Sequence, residues 1–242
     1  MLESPMRILF VLLFVLPLLA STASFAQTPP PQEDLGTLLG LGIRSRPDYD
    51  GAHKQELEPI PVIRYYGPVL FARTTQGILE GGARFELARG LVAGAQLAYE
   101  AGNDRTDVDP GASIGVHLEW DTKVGPAPVN VLGRLRHHLD SDLGTQFDLR
   151  GALGVYGSAK LKAWVFAQAT WATDEWVRSY YTTGDGGLLS TQAGVEGAYE
   201  VNRRWVALAS ASLRRLHGDA ASSPITEDKT NYYVSVGLAY RF

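Results

Sequence analysis

The last stretch of the chain, Asn231–Phe242, limits the possible folds more than any other. Counting back from the end, Phe242, Tyr240, Leu238, Val236, Val234 and Tyr232 share one face of an extended strand. Arg241, Ala239, Gly237, Ser235 and Tyr233 share the other. An apolar face with aromatic ends, set against a small or polar face, is how a strand reads when lipid touches one side and a lumen the other. A half-buried edge strand of a soluble sandwich gives the same alternation once. The remainder of the chain has to separate the two.

The amino-terminus sets the compartment. Met1–Arg7 is short and basic, Ile8–Ala20 is an almost unbroken apolar run, and Ser24-Phe25-Ala26 places small residues at a cleavage site before Gln27. That order reads as a cleavable secretory signal peptide over residues 1–26. The run is too short for a relaxed membrane helix of roughly 20 residues. Thr28–Asp34 is a proline-rich leader, so residues 27–34 are expected to be flexible. Residues 35–242 form one domain. The chain has no cysteine and a net charge of −4, which argues against a nucleic-acid partner. No later stretch is apolar enough for a transmembrane helix. A mean hydropathy of −0.07 still suits a membrane protein, because alternating lipid-facing and lumen-facing residues cancel in the average.

The domain divides into alternating segments of roughly ten residues, the length a tilted strand needs to cross a bilayer. Leu35–Ser45 sets Leu39, Leu41 and Ile43 against Gly40, Gly42 and Arg44. Leu57–Tyr66 follows, weakened by Pro59 and Pro61, which cannot donate to a ladder. Val69–Thr75 and Ile78–Leu87 flank a short break at Gln76-Gly77. Leu91–Glu100 and Ala112–Asp121 alternate cleanly, the latter with Ile114, Val116, Leu118 and Trp120 opposite Ser113, His117, Glu119 and Asp121. Val129–Leu139, Thr145–Tyr156 and Leu161–Ala172 come next. Leu188–Glu200 sets Leu189, Val195 and Tyr199 against Gln192, Glu196 and Glu200. Trp205–Leu216 and the terminal strand complete the set. The expected fold is all-β: a single antiparallel transmembrane β-barrel of about 12 strands (about 10–14). Connections alternate between short and long or polar, apart from the break at Gln76-Gly77. Short turns on the periplasmic side and long loops outside are the barrel rule. Aromatics near segment ends, among them Tyr65, Tyr66, Tyr99, Trp120, Tyr156, Trp171, Tyr199 and Trp205, suit interfacial girdles.

Several loops carry a family likeness. Leu41–Ala52 (LGIRSRPDYDGA), Leu57–Tyr65 (LEPIPVIRY), Thr170–Tyr181 (TWATDEWVRSYY) and above all Leu216–Asp228 (LHGDAASSPITED), followed by the Tyr-Arg-Phe ending, resemble the MipA/OmpV family of outer-membrane barrels. The likeness covers nearly the whole mature chain. Asp140–Gly144 lacks the family's glycine-glycine-histidine pattern, and the loop after Tyr181 is short. The resemblance implies a non-enzymatic protein of the cell outer membrane, in contact with lipid and lipopolysaccharide. It also implies recognition by the barrel-assembly machinery through the Phe242 strand. The family's named member is regarded as a scaffold joining a periplasmic murein hydrolase to a murein synthase. Other members are associated with adhesion, osmotic response or antibiotic uptake.

Catalytic signals are weak. The five histidines, His53, His117, His137, His138 and His217, show no metal-ligand spacing, and His137-His138 point to opposite faces. The histidine-x-serine pattern of lipid A deacylase is absent, and Ser212 and His217 become neighbours only if the fold joins them. No cofactor is expected. Candidate sites are therefore polar. Arg84, Arg134, Arg136, Arg150, Glu196 and Arg214 are expected in the lumen, either as a charged constriction or as an ion-pair filling. Asp48, Tyr49, Trp176, Tyr180, Tyr181 and Asp219 are expected on the outer loops. The loop aromatics serve there as a binding surface or as a plug. Two functions stand: a scaffold or binding barrel for peptidoglycan maintenance, and a narrow diffusion channel for small polar solutes. An outer-membrane hydrolase is less favoured.

Overall fold

A computed structural model describes residues 35–242, apart from Gln76, Ser141, Asp142 and Thr183. The signal peptide and leader expected over residues 1–34 lie outside the described residues. Twelve strands follow one another: β1 (Leu38–Pro47), β2 (Gln55–Tyr66), β3 (Leu70–Thr75), β4 (Ile78–Ala88), β5 (Leu91–Glu100), β6 (Gly111–Val124), β7 (Ala127–His138), β8 (Thr145–Gly157), β9 (Leu161–Ala172), β10 (Gly187–Glu200), β11 (Trp205–Leu216) and β12 (Thr230–Arg241). Each pairs antiparallel with its sequence neighbour, and β1 pairs with β12 to close the barrel. Closure gives backbone donors and acceptors partners between strands, which hydrocarbon requires because it offers none.

The alternation read from the sequence is the alternation of the wall. Leu41, Leu57, Leu97, Ile114, Leu118, Val195, Val236 and Phe242 are exposed on the outside, while His117, Glu119, Arg134, Asp148 and Gln192 are buried within. An outer surface this apolar belongs in lipid; in water it would be a sticky belt.

Strand parity corrects two details. Tyr65 faces outward and Tyr66 inward, where Arg84 lies over its ring at 4.7 Å, so Tyr66 leaves the girdle. Leu189 does not share a face with Val195. The β9–β10 register shifts between Leu188 and Ser190, a bulge that turns Leu189 into the barrel and Leu188 outward. One extra residue reverses every side chain before it.

The prolines of β2 have a local explanation. β2 meets β3 through only three pairs, Arg64↔Arg73, Tyr65↔Ala72 and Tyr66↔Phe71. The amide of Gly67 donates toward β3, to the Leu70 carbonyl at 2.8 Å. Amides at 61 and 59 have the same parity and would point the same way, past the end of that pairing. Proline has no N–H to leave unsatisfied there.

The closing seam is tight. A Cβ on Gly40 would fall 2.1 Å from the Leu238 carbonyl oxygen and 2.5 Å from the Ala239 Cα, both backbone atoms that cannot give way. Gly40→Ala is expected to cost about 1–3 kcal/mol through overpacking. Gly151→Ala, with nothing within 4 Å of the added carbon, is the control. Heat-modifiable gel migration of refolded barrels across a urea series measures both; equal midpoints would show that the seam has slack.

Candidate lumen site and outer plug

The inward residues of β3 to β10 tie to one another across the wall. Glu80 of β4 accepts from Arg73, from Arg134 Nη1 at 2.7 Å and from Gln96 Nε2 at 2.8 Å. Asp148 of β8 accepts from Arg134 Nη2 at 2.8 Å, Arg136 Nη2 at 2.9 Å and Thr170 Oγ1 at 2.8 Å. Arg136 also holds Glu100. Arg73 reaches Glu119 at 3.0 Å, and Asn130 donates to both Glu119 and Asp121 at 2.7 and 2.9 Å. Arg150 pairs with Glu196 at 2.8 Å. Guanidinium forks on buried carboxylates give short, directional bonds that fix side chains. Arg134, Arg136, Arg150 and Glu196 all take part, as ion-pair filling on one side of the lumen.

Arg84 and Arg214 make further contacts. Arg84 covers Tyr66. Arg214 binds Asp50 from the β1–β2 loop and donates to Gln192 at 3.1 Å. Arg73 went unassigned in the sequence, although a signal was present. Arg73 and Glu80 sit at equal distances from the Gln76-Gly77 turn, and strand pairing sets them directly opposite.

At the long-loop end the chain packs its own segments together. Residues 173–187, read from the sequence as a plain loop, contain an eight-residue helix, α1 (Asp174–Tyr181). Asp174 and Glu175 lie in its first turn, where the helix dipole favours acids. Trp176, Val177, Tyr180 and Tyr181 fall on one face by their spacing. They are buried with Val108, Ala172, Leu189, Leu216 and Ala220. Trp176 stacks on Tyr180, with centroids 4.1 Å apart and planes at 9°. Of the two roles open to the loop aromatics, burial favours the plug: Tyr181 is 1% exposed, and Tyr49 and Trp176 are each 7%.

Hydrogen bonds tie the plug together with the β1–β2, β5–β6 and β11–β12 loops. Tyr181 Oη donates to the Asp50 carbonyl at 3.0 Å, Tyr180 Oη to Ala101 O at 3.1 Å, and Tyr49 Oη to Ile225 O at 2.7 Å. Asn103 Nδ2 donates to Tyr180 O at 2.8 Å and Ser223 Oγ to Tyr181 O at 2.7 Å. Asp50, absent from the sequence candidates, joins the parts. Its carboxylate takes Arg214 and Tyr233 while its carbonyl takes Tyr181. Burial opposes its charge, but the Arg214 guanidinium and Tyr233 hydroxyl outweigh that and hold its carboxyl below the usual value. Burial pushes the Tyr181 hydroxyl well up, with the Asp50 charge adding to it. The latch therefore keeps one charged carboxylate and one neutral phenol at neutral pH. Asp48 and Asp219 remain at the rim. Asp219 accepts from the Asp185 amide at 2.8 Å, and Asp48 lies 3.8 Å from Lys54.

A cavity of about 250 Å³ remains beside the ion pairs, lined by residues of every strand except β4 and β5. Toward the short-turn end it meets an apolar cluster of Leu35, Leu38, Ala198, Val206 and Ala239, with Val62, Trp164 and Leu208 packed against it. Ser212 and His217 take other partners: Ser212 bonds Gln192, and His217 bonds Thr191, each at 2.8 Å.

Among solved structures, the chain is similar to the NanC porin at 10% identity and TM-score 0.55, covering 86% of this chain and 100% of that one. An outer-membrane channel from Pseudomonas putida F1 matches at 12% identity and TM-score 0.46, covering 92% and 99%. The first likeness shows the outer-membrane barrel fold. No curated protein matches. The family model described as MltA-interacting protein MipA matches residues 39–242, from the second residue of β1 to the final Phe242. By its closed barrel and by a match that runs through strands, plug and terminal aromatic alike, the chain belongs to the MipA family of MltA-interacting proteins.

Proposed function

We propose that this protein is a non-conducting outer-membrane barrel that serves as a binding or scaffold component of cell-envelope maintenance, not as a diffusion channel. One observation carries the reading: the chain narrows its own passage, with a latched aromatic plug over one end and a cross-tied wall of ion pairs below it, so that what remains is a chamber of about 250 Å³. The loop stretches that resemble the family, Pro47–Ala52, Asp174–Tyr181 and Gly218–Asp228, are the parts from which this plug is built. Their likeness is thereby accounted for without an outer ligand.

The free surface for a periplasmic partner is the short-turn end, where Arg89, Lys123, Lys160, Arg203 and Arg204 are exposed. A murein hydrolase or synthase with an acidic face suits that rim. The family's description, an MltA-interacting protein, supports a partner of this kind.

Planar-bilayer recording and pull-down test the proposal together. The wild-type barrel is expected to show no stable ion steps. It is expected to retain periplasmic murein enzymes, and Arg203→Glu with Arg204→Glu is expected to weaken that retention at least tenfold. Stable steps from the wild type, retuned by Arg134→Ala, would replace this reading with the diffusion channel.

A further inference from the structure

We propose that the internal chamber is a binding site for an amphipathic organic anion: an apolar body carrying a carboxylate or phosphate group. Five guanidiniums, those of Arg44, Arg64, Arg73, Arg150 and Arg214, line it with two carboxylates, Glu119 and Glu196, while Glu58, Glu80 and Asp50 pair with Arg44, Arg73 and Arg214 from outside the lining. Two of the arginines keep a donor in reserve. Arg150 has a side chain only 5% exposed, yet its Nε has no hydrogen-bond partner. Arg73, 7% exposed, leaves its Nη2 likewise unpartnered. A buried charged donor without an acceptor costs free energy, and an anionic oxygen is the acceptor that best removes that cost.

The rest of the lining supplies the second half of the ligand. Trp164, Phe166, Val62, Leu38 and Leu208 line the same chamber. The Arg150 guanidinium lies over the Phe166 ring at 4.6 Å, so the cationic and aromatic surfaces meet at one place. Water alone would satisfy the arginines but not this apolar wall. At about 250 Å³ the space exceeds the roughly 150 Å³ of a dry cavity that admits benzene. The chamber also abuts the place where β2 and β3 part: Ile60–Ile63 line it from one side, and Thr74, Thr75 and Gly77 from the other.

Isothermal titration of the refolded full chain tests the assignment. The probe is phenyl phosphate, with phenol and inorganic phosphate as its separate halves. One saturable site is expected, with each half binding at least tenfold more weakly. Arg150→Gln combined with Glu196→Gln removes the donor without stranding a carboxylate, and is expected to weaken binding at least tenfold. Ser210→Phe, which fills the chamber, is expected to abolish it. Heat-modifiable migration confirms that each variant is folded. Dihexanoyl phosphatidic acid distinguishes the sources: tighter binding than phenyl phosphate assigns the ligand to the bilayer, weaker binding to the aqueous phase, and either supports the site. Absence of saturable binding, or an affinity unchanged in both variants, overturns it. Neither result bears on conductance, so the scaffold reading stands or falls separately.

Discussion

Arg134→Ala is expected to lower the stability of the barrel by about 3–5 kcal/mol, the cost of removing one partner from a buried charge network. Arg134 is 2% exposed and bridges Glu80 and Asp148, which are 0% and 1% exposed. Without it, two carboxylates share fewer cations in a place water reaches poorly. Arg73 stays on Glu80 and Arg136 on Asp148, but each already divides its charge with a second carboxylate, Glu119 or Glu100, and cannot replace the missing fork. Arg134→Lys keeps the charge but loses the planar geometry, and should fall between wild type and alanine. Arg178→Ala removes an exposed helix pair with Asp174 at 3.5 Å and should change stability by no more than about 0.5 kcal/mol. Urea midpoints of refolded barrels order the three variants. A loss under about 1 kcal/mol for Arg134→Ala would mean that the lumen wall is well hydrated, and that its ion pairs contribute little.

Tyr181→Ala should release the plug. The side chain is 1% exposed and packs in the aromatic cluster, and its hydroxyl reaches the Asp50 carbonyl. Truncating a buried aromatic of this size costs about 3–5 kcal/mol, concentrated in elements that are small and close to the surface. The expected result is local opening of the mouth with the twelve-stranded wall intact. Limited proteolysis should then cut between residues 173 and 187 while the heat-modifiable shift persists. In planar bilayers, Tyr181→Ala combined with Trp176→Ala should produce flickering conductance above that of the wild type. If the double variant stays both silent and protease-resistant, α1 is not what seals the barrel.

The wall was legible in the chain because a barrel strand obeys a local rule. Period two assigns inside and outside one residue at a time, so the placements of His117 and Glu119 against Val116 and Leu118 needed no knowledge of neighbouring strands. The rule fails where a strand breaks it. The Leu188–Ser190 bulge reverses Leu189 through pairing with β9, which no residue of β10 announces. Tyr65 and Tyr66 show a different failure: two adjacent aromatics cannot both face lipid, and only the register with β3 makes Tyr66 the one that turns inward. The plug was the least legible part. The spacing of Trp176, Val177, Tyr180 and Tyr181 marks an amphipathic face, but the face makes sense only once Val108, Leu189, Leu216 and Ala220 are seen to converge on it from three other parts of the chain.

The sequence by itself determined an antiparallel barrel wall of about 12 strands, the apolar belt and the family likeness, because each follows from short-range alternation or from contiguous motifs. Tertiary structure alone decided what the barrel does with its interior. Ion pairs such as Arg134 with Glu80 join residues far apart in the chain, and whether inward charges leave a path or cancel one another depends on which strands face across the lumen. The same holds for Asp50, an unremarked loop residue until closure of the barrel brings Arg214, Tyr233 and Tyr181 around it.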